Sequence, residues 1–371
     1  LRHYVRDGEA TGLVANPLFD VRYYRHVATG LHGAENFRTA LGHYAAVGAP
    51  AGIRPGPLVD VAWLRHQARP RPQDRFEPLA WWLQVGRGLA VPPHPAIDLG
   101  WYRQIRIGLR PQDDVIADYL LHGAAGGLSL TPFFDADHYL RNYEDVRQAG
   151  NNPFLHYLAW GEEEGRRPNP LFDPAWYRKT RSLAPEQSPL GHYARLRGRL
   201  PASTCRLFDG AWYVAANPDV GESGEDPLRH YLGPGGREHR SPHPLFDGGF
   251  VAATMPAALG HHPNPVASFL LSRESLDGTP HPLFDPAHYL AQVPEAETWR
   301  GGVFDHFLAF DAENLADPHP LFCTRWYLAQ SGPLAPGQTA LAHYVAAGAR
   351  EGLSPHPLFD PGFYLRNNPD V

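Results

Sequence analysis

Two short patterns recur along this chain at a common period, and their spacing limits the fold more than any other feature. One is an apolar-Phe-Asp step after Pro, as in Pro170-Leu171-Phe172-Asp173. Its Asp position recurs at Asp20, Asp60, Asp98, Asp135, Asp173, Asp209, Asp247, Asp285 and Asp360, with Cys323 standing there once. The other is His-Tyr or a relative, with its aromatic at Tyr4, Tyr44, Trp82, Tyr119, Tyr157, Tyr193, Tyr231, Phe269, Phe307 and Tyr344. From each aromatic to the next Asp position the separation is 16 residues in all ten cases, as from 4 to 20 and from 344 to 360. From Asp to the following aromatic it varies between 20 and 24. Packed connections resist insertion and loops absorb it, so the second interval holds an exposed loop. A period near 38 residues carried from end to end predicts one continuous array over 1–371, in place of two or three separate domains.

Each half of the period carries helix punctuation. Asp is a natural N-cap, and the Pro after Asp173, Asp285 and Asp360 suits the first helical position. Phe before the cap and Tyr at the fourth helical position match a hydrophobic staple, as with Phe172 and Tyr177. This is helix A, about nine residues, and Asn-Pro-Asp-Val at 217–220 and 368–371 reads as its stop. In the other half, Thr39, Glu77, Asp114, Asn152, Ser188, Asp226 and Asn264 offer N-caps, and Pro follows several of them. Four residues after the aromatic comes Gly8, Gly48, Gly86, Gly123, Gly161, Gly235 or Gly348, expected to end helix B in a left-handed conformation. A Glu-Gly-Arg turn and an extended Pro-x-Pro-Leu-Phe strap complete the unit. The predicted fold is all-α: about ten units of two short helices and a strap, stacked into an αα-repeat solenoid.

Composition agrees. The 39 Pro and 37 Gly among 371 residues exclude a coiled coil, and the 9 Trp, 17 Tyr and 18 Phe exclude a disordered tail. A net charge of −6 gives no footprint for nucleic acid. Cys205 and Cys323 share no motif, and no apolar run is long enough to span a bilayer. No signal peptide is recognisable, but the chain starts at Leu1 and not Met, so its start says nothing about export. The compartment is left open, with a cytoplasmic setting favoured. The chain opens inside a helix B and stops just after a helix A, without polar caps. The expectation is a piece of a longer protein, or an array that closes or continues through other copies.

Candidate chemistry reads mostly as architecture. His3, His43, His156, His192, His230, His306 and His343 precede the second aromatic, and His94, His243, His281, His319 and His356 lie in the strap. A ladder of metal sites would need ligand spacing such as i, i+4, whereas these recur at the period of the repeat. They are expected to hydrogen-bond backbone of the strap or the neighbouring unit. The adjacent pair His261-His262 falls in a loop. The repeated Asp reads as N-caps, Cys323 as a tolerated loss of one, and Glu162-Glu163-Glu164 as a solvated face. The Tyr of helix A reads as core. Trp63, Trp101, Trp176, Trp212 and Trp326, each just before that position, are the candidates for an exposed ligand surface. No phosphate loop, nucleophile elbow or dinucleotide fingerprint occurs, and no metal, cofactor or catalytic residue is assigned.

The segment 152–177, NPFLHYLAWGEEEGRRPNPLFDPAWY, resembles repeats of large bacterial polysaccharide-biosynthesis proteins, where they accompany glycosyltransferase or rhamnan-synthesis domains. The resemblance covers essentially the whole chain as a repeat type, and no catalytic residue carries over with it. Departures concentrate where Val59 replaces Phe, Leu64 and Val251 replace Tyr, and Trp81 and Ser268 replace His. Those repeats are expected to be strained or to carry the specific surface. Three functions follow: a non-catalytic scaffold binding a partner protein or positioning an attached domain, a polysaccharide-binding surface, or an enzyme whose site spans repeats.

Overall fold

The computed structural model describes residues 1–31, 36–70, 76–196, 200–254, 264–266, 269, 279–299, 301–335 and 338–370, without the side chains of 311–314. Among these residues the chain is all-α and built from short helices, with only isolated bridges of extended backbone in three straps. His261, His262 and Ser268 lie outside the described residues. The chain packs as two compact lobes, Leu1–Arg197 and Gly198–Val371.

Helix A forms after every cap position. Examples are Val21–Val27, Pro174–Thr180 and Pro361–Asn367, seven residues each. The Asp side chain accepts from the backbone N–H three residues on, at 2.7–3.1 Å, from Asp20 to Asp360. Such a cap stabilises a helix by about 1 kcal/mol. Cys323 makes no cap bond, and Asp317 of the same strap accepts from Thr324 N–H instead, at 2.8 Å. The staple pairs touch: Phe19 with Tyr24, Phe172 with Tyr177 and Phe284 with Tyr289, at ring-centroid distances of 5.2–5.8 Å.

Helix B differs from expectation in its second half. One α turn, as in Ala40–His43, runs into a π turn from the aromatic to the glycine, as in Tyr44–Gly48. The same π turn recurs at Tyr4, Trp82, Tyr119, Tyr157, Tyr231 and Tyr344. Its glycine is not left-handed. The left-handed residue comes four positions later, at Gly12, Gly52, Gly127, Gly165 and Gly352, with φ between +71° and +82°. The earlier glycine is required for a different reason. A Cβ at Gly48, Gly123, Gly161, Gly235 or Gly348 would collide with the hydroxyl of Tyr24, Tyr102, Tyr139, Tyr213 or Tyr327 from helix A. Close approach of one helix to the other, not backbone handedness, selects glycine there.

Asn-Pro-Asp-Val at 217–220 is also more than a stop. Asn217 closes helix A, and Pro218 then starts a third helix, Pro218–Ser223, with Val220 buried. Glu144–Ala149 and Pro294–Thr298 are its counterparts. Proline ends one helix and suits the first position of the next, so the same residue supports both readings.

The straps hold neighbouring repeats together. The N–H of a cap residue donates to a strap carbonyl of the next repeat: Asp20 to Pro55, Asp60 to Pro93, Asp98 to Leu130, Asp135 to Pro168, Asp209 to Pro242, Asp247 to Pro280, Asp285 to Pro318 and Cys323 to Pro355, at 2.8–3.0 Å. Proline has no N–H, and here only its carbonyl is used. Straps such as 55–59 and 93–97 are buried throughout. Within the N-terminal lobe the chain winds back onto itself. Tyr23 of the Asp20 repeat packs on Trp160, three repeats on, and Trp63 packs under Arg195, again three repeats on. Arg54 reaches the Leu158 carbonyl, 104 positions away. Residues beside a buried strap are thereby met by a helix B three repeats on.

Gly161→Ala is expected to lower stability by about 1–3 kcal/mol through overpacking against Tyr139. Gly165→Ala is expected to lower it by about 1 kcal/mol through strain at positive φ. Chemical denaturation measures both, and Tyr139→Phe should recover part of the first loss and none of the second.

Candidate binding surface

The helix A tyrosine is buried, and its hydroxyl needs a partner. In six repeats that partner is the Nδ1 of the helix B histidine. The pairs are Tyr24–His43, Tyr139–His156, Tyr177–His192, Tyr213–His230, Tyr289–His306 and Tyr327–His343, at 2.5–3.1 Å. The histidine thus bonds a side chain of its own repeat, where sequence reasoning expected backbone. Burial pushes Tyr24 and Tyr327 up to about 12 and lowers His156, His192 and His306. Burial thus favours the protonated phenol in Tyr24 and Tyr327 and the neutral ring in His156, His192 and His306, and each pair ties helix A to helix B.

The departures obey the same rule. Tyr102 lacks a histidine and donates to Asp118 at 2.6 Å. Arg106 hydrogen bonds hold that carboxyl below its usual range. In the Asp60 repeat, Leu64 replaces the tyrosine and Trp81 replaces the histidine together. The hydroxyl and its acceptor disappear as a pair, which leaves nothing unsatisfied.

The strap histidines are a second, separate set. His94, His243, His281, His319 and His356 each use Nδ1 to accept the backbone N–H two residues on, at 3.0–3.1 Å. Asn16 and Asn169 make the same bond with a side-chain oxygen, at 2.8 Å. An accepting Nδ1 places the proton of the neutral ring on Nε2. Burial lowers His243 and His281 to about 4. No group of three metal-ligating side chains occurs among the described residues.

Acidic caps link one helix B to the next. Glu9 accepts from Ala40 N–H at 2.8 Å, and Glu162 from Leu190 N–H at 2.9 Å. Tyr44 donates to Glu77 at 2.5 Å and Tyr157 to Glu162 at 3.1 Å. Glu162 therefore does not belong to a solvated face, as Glu163 and Glu164 do, and burial lifts its carboxyl above the usual range.

The five candidate tryptophans do not form one platform. Trp63 donates to the Pro92 carbonyl at 2.9 Å and carries Arg195 over its ring at 5.5 Å. Trp101, Trp176 and Trp212 are half-buried, and Trp326 alone of the five is exposed, at 42%. A cavity of about 290 Å³ lies in the Asp20 repeat between the end of helix A and the start of helix B. Arg25, Phe37, Arg38 and His43 line it, and the His43 Nε2 is buried with no hydrogen-bond partner among the described residues.

Exposed aliphatic side chains gather on two of the departing repeats. Leu83, Val85 and Leu89 project from helix B and the following turn of the Asp60 repeat, and Leu121 and Ile107 are 71% and 90% exposed in the Asp98 repeat. Arg87 and Asp114 pair across these adjacent repeats at 2.6 Å, and Arg106 ties the Ile107 loop to Asp118 on the Leu121 helix at 2.9 Å. Nothing in the residue types marked this strip beforehand, because outward helix B positions are apolar in several repeats. No family model, curated protein or solved structure matches this chain.

The strap histidines impose a pH dependence. Below pH 6.5 the unfolded rings take up protons that the folded ones refuse until about pH 4. Stability should thus be level above 6.5 and fall between 6.5 and 4, by on the order of 3 kcal/mol per ring at most. His281→Asn keeps the acceptor, and is expected to leave the neutral-pH midpoint unchanged while making the acid slope shallower in thermal melts.

Proposed function

We propose that the chain is a non-catalytic repeat scaffold that binds a partner protein, or an attached catalytic domain, through the outer helix B face of the Asp60 and Asp98 repeats. The observation that carries this reading is the aliphatic strip of Leu83, Val85, Leu89, Ile107 and Leu121. Exposed apolar side chains gathered on neighbouring repeats of a folded chain suit the seating of another surface. The titratable side chains that recur in each repeat are spent on locks, caps and strap turns, which supports a non-catalytic role. The resemblance to polysaccharide-biosynthesis repeats supports a glycosyltransferase as the class of attached or partner domain.

A photo-crosslinking residue at position 83 or 121, introduced in the native host, is expected to yield a discrete protein adduct. Ile107→Asp should reduce that adduct without shifting the thermal midpoint. Absence of an adduct at both positions would overturn the reading. Retention on a polysaccharide affinity gel that Trp326→Ala abolishes would replace it with the glycan-binding alternative.

A further inference from the structure

The lock between helices leaves one polar atom over in the Asp20 repeat. Tyr24 is 1% exposed, and among the described residues its hydroxyl has one hydrogen-bond partner, the His43 Nδ1 at 2.8 Å. A buried hydroxyl with a single partner able to accept places its proton there. Nδ1 is then the acceptor, and the proton of the imidazole lies on Nε2. His43 is itself 3% exposed, and its Nε2 has no hydrogen-bond partner among the described residues. The other locked histidines, His156, His192, His230, His306 and His343, have no buried, unpartnered Nε2. Buried donors in folded chains are almost always bonded, so this one N–H calls for an acceptor from outside the chain.

The same ring lies beside open space. His43 lines the cavity of about 290 Å³ between the end of helix A and the start of helix B, a volume near the lower end for small-molecule clefts. Ala28, Leu31 and Phe37 supply apolar wall, and Phe37 stands edge-on to the His43 ring at 5.4 Å. Arg25 and Arg38, both exposed, bring two positive charges to the lining. Arg25 places one N–H on Glu9 at 2.9 Å, a carboxylate that also accepts from Ala40 N–H at 2.8 Å and from the Tyr4 hydroxyl at 3.1 Å. Arg38 has no ion-pair partner among the described residues, and no acidic side chain among them lines the cavity. The repeat is also distinct in sequence. Its connection from Asp20 to Tyr44 spans 24 residues, the longest of the variable intervals.

We propose that this cavity binds a small organic oxyanion, a carboxylate or phosphate ester carried on a compact apolar body. An oxygen of the ligand accepts the His43 Nε2–H at the buried end. Its negative charge faces Arg25 and Arg38, whose planar forks suit both carboxylate and phosphate. Its body lies against Phe37 and Leu31. Because His43 also ties helix B to Tyr24 of helix A, an occupied cavity stabilises this repeat by mass action. The inference is independent of the exposed aliphatic side chains of the Asp60 and Asp98 repeats, and different residues test it.

Titration of the 371-residue chain with benzoate and with phenyl phosphate, read by NMR of the histidine ring protons and by thermal melting, tests the proposal. The His43 signal is assigned by its loss in His43→Asn, whose side-chain oxygen can keep the Tyr24 bond. At least one of the two anions is expected to bind saturably with a Kd of about 1 mM or tighter, to shift the His43 signal and to raise the melting midpoint. Which of them binds tells carboxylate from phosphate. Neutral benzamide should bind at least about tenfold more weakly. Arg38→Gln, at an exposed position, should keep the midpoint of the free chain and weaken the anion at least about tenfold. Arg22→Gln makes the same charge change on helix A outside the cavity and should leave the affinity unchanged. Absence of saturable binding by both anions, equal binding of benzamide, or binding that leaves the His43 signal in place would overturn the proposal. So would an affinity that Arg38→Gln does not change, or that Arg22→Gln weakens as much.

Discussion

The buried tyrosine hydroxyl of helix A is the constraint on which the other features depend. Burying the ring stabilises a repeat by about 2–3 kcal/mol, but a phenol left without a partner in that setting would remove about 1–3 kcal/mol of it. The partner has to come from helix B, and the two helices then have to approach closely. That approach requires glycine under the hydroxyl, and the π turn from the aromatic to that glycine is the shape helix B takes there. In the repeats of Tyr24, Tyr139, Tyr213 and Tyr327, histidine, glycine and the wide turn occur together at fixed offsets. Tyr289 keeps the histidine bond on a continuous α-helix, and the Asp60 repeat keeps the turn without a tyrosine. The need of the hydroxyl for a partner also explains why Leu64 and Trp81 change together, while Tyr102 survives the loss of histidine by using Asp118.

The strap imposes the second constraint, and it works between repeats. An extended Pro-rich segment has few backbone donors to satisfy and can be buried where an ordinary loop would not be tolerated. Its remaining groups are used: the cap N–H bonds the next strap, and histidine or asparagine turns the chain by accepting from two residues on. The rigid 16-residue interval spans the π turn, the left-handed glycine and this strap. All three are packed, so no residue can be added to it. The variable interval runs through the connection from helix A to helix B, where a third helix appears in some repeats and not in others.

Most of the repeat is legible from punctuation alone. Caps, staples and straps follow from Asp, Phe and Pro at fixed spacing, because each acts within a few residues of itself. What escapes the sequence is the set of contacts that cross from one element to another. The Tyr–His pairs sit 15–19 positions apart and look like two independent ladders until the helices are packed. Gly48 reads as a helix end because its alternative, a close approach by Tyr24, is not a local property. Glu162 reads as one of three surface acids, although its partner Leu190 lies in the next repeat. The Trp ladder fails as a common surface for the same reason, since Trp63 is covered by Arg195 from three repeats away.

Winding decides where recognition can take place. An open solenoid presents a groove on its inner side, and its repeats contact only their neighbours. In the N-terminal lobe the contacts reach three repeats ahead, and straps such as 55–59 and 93–97 are buried throughout. There the start of a strap is met by residues that come later in the chain, as Arg54 is by the Leu158 carbonyl. Helix B positions such as Leu83, Val85 and Leu121 stay exposed. At those positions the lock imposes no residue type, and the Asp60 and Asp98 repeats, which depart from the common Tyr–His pair inside, carry exposed aliphatic side chains there. Repeats that give up the common lock keep their fold through alternative pairs, which leaves their outer positions free to specialise.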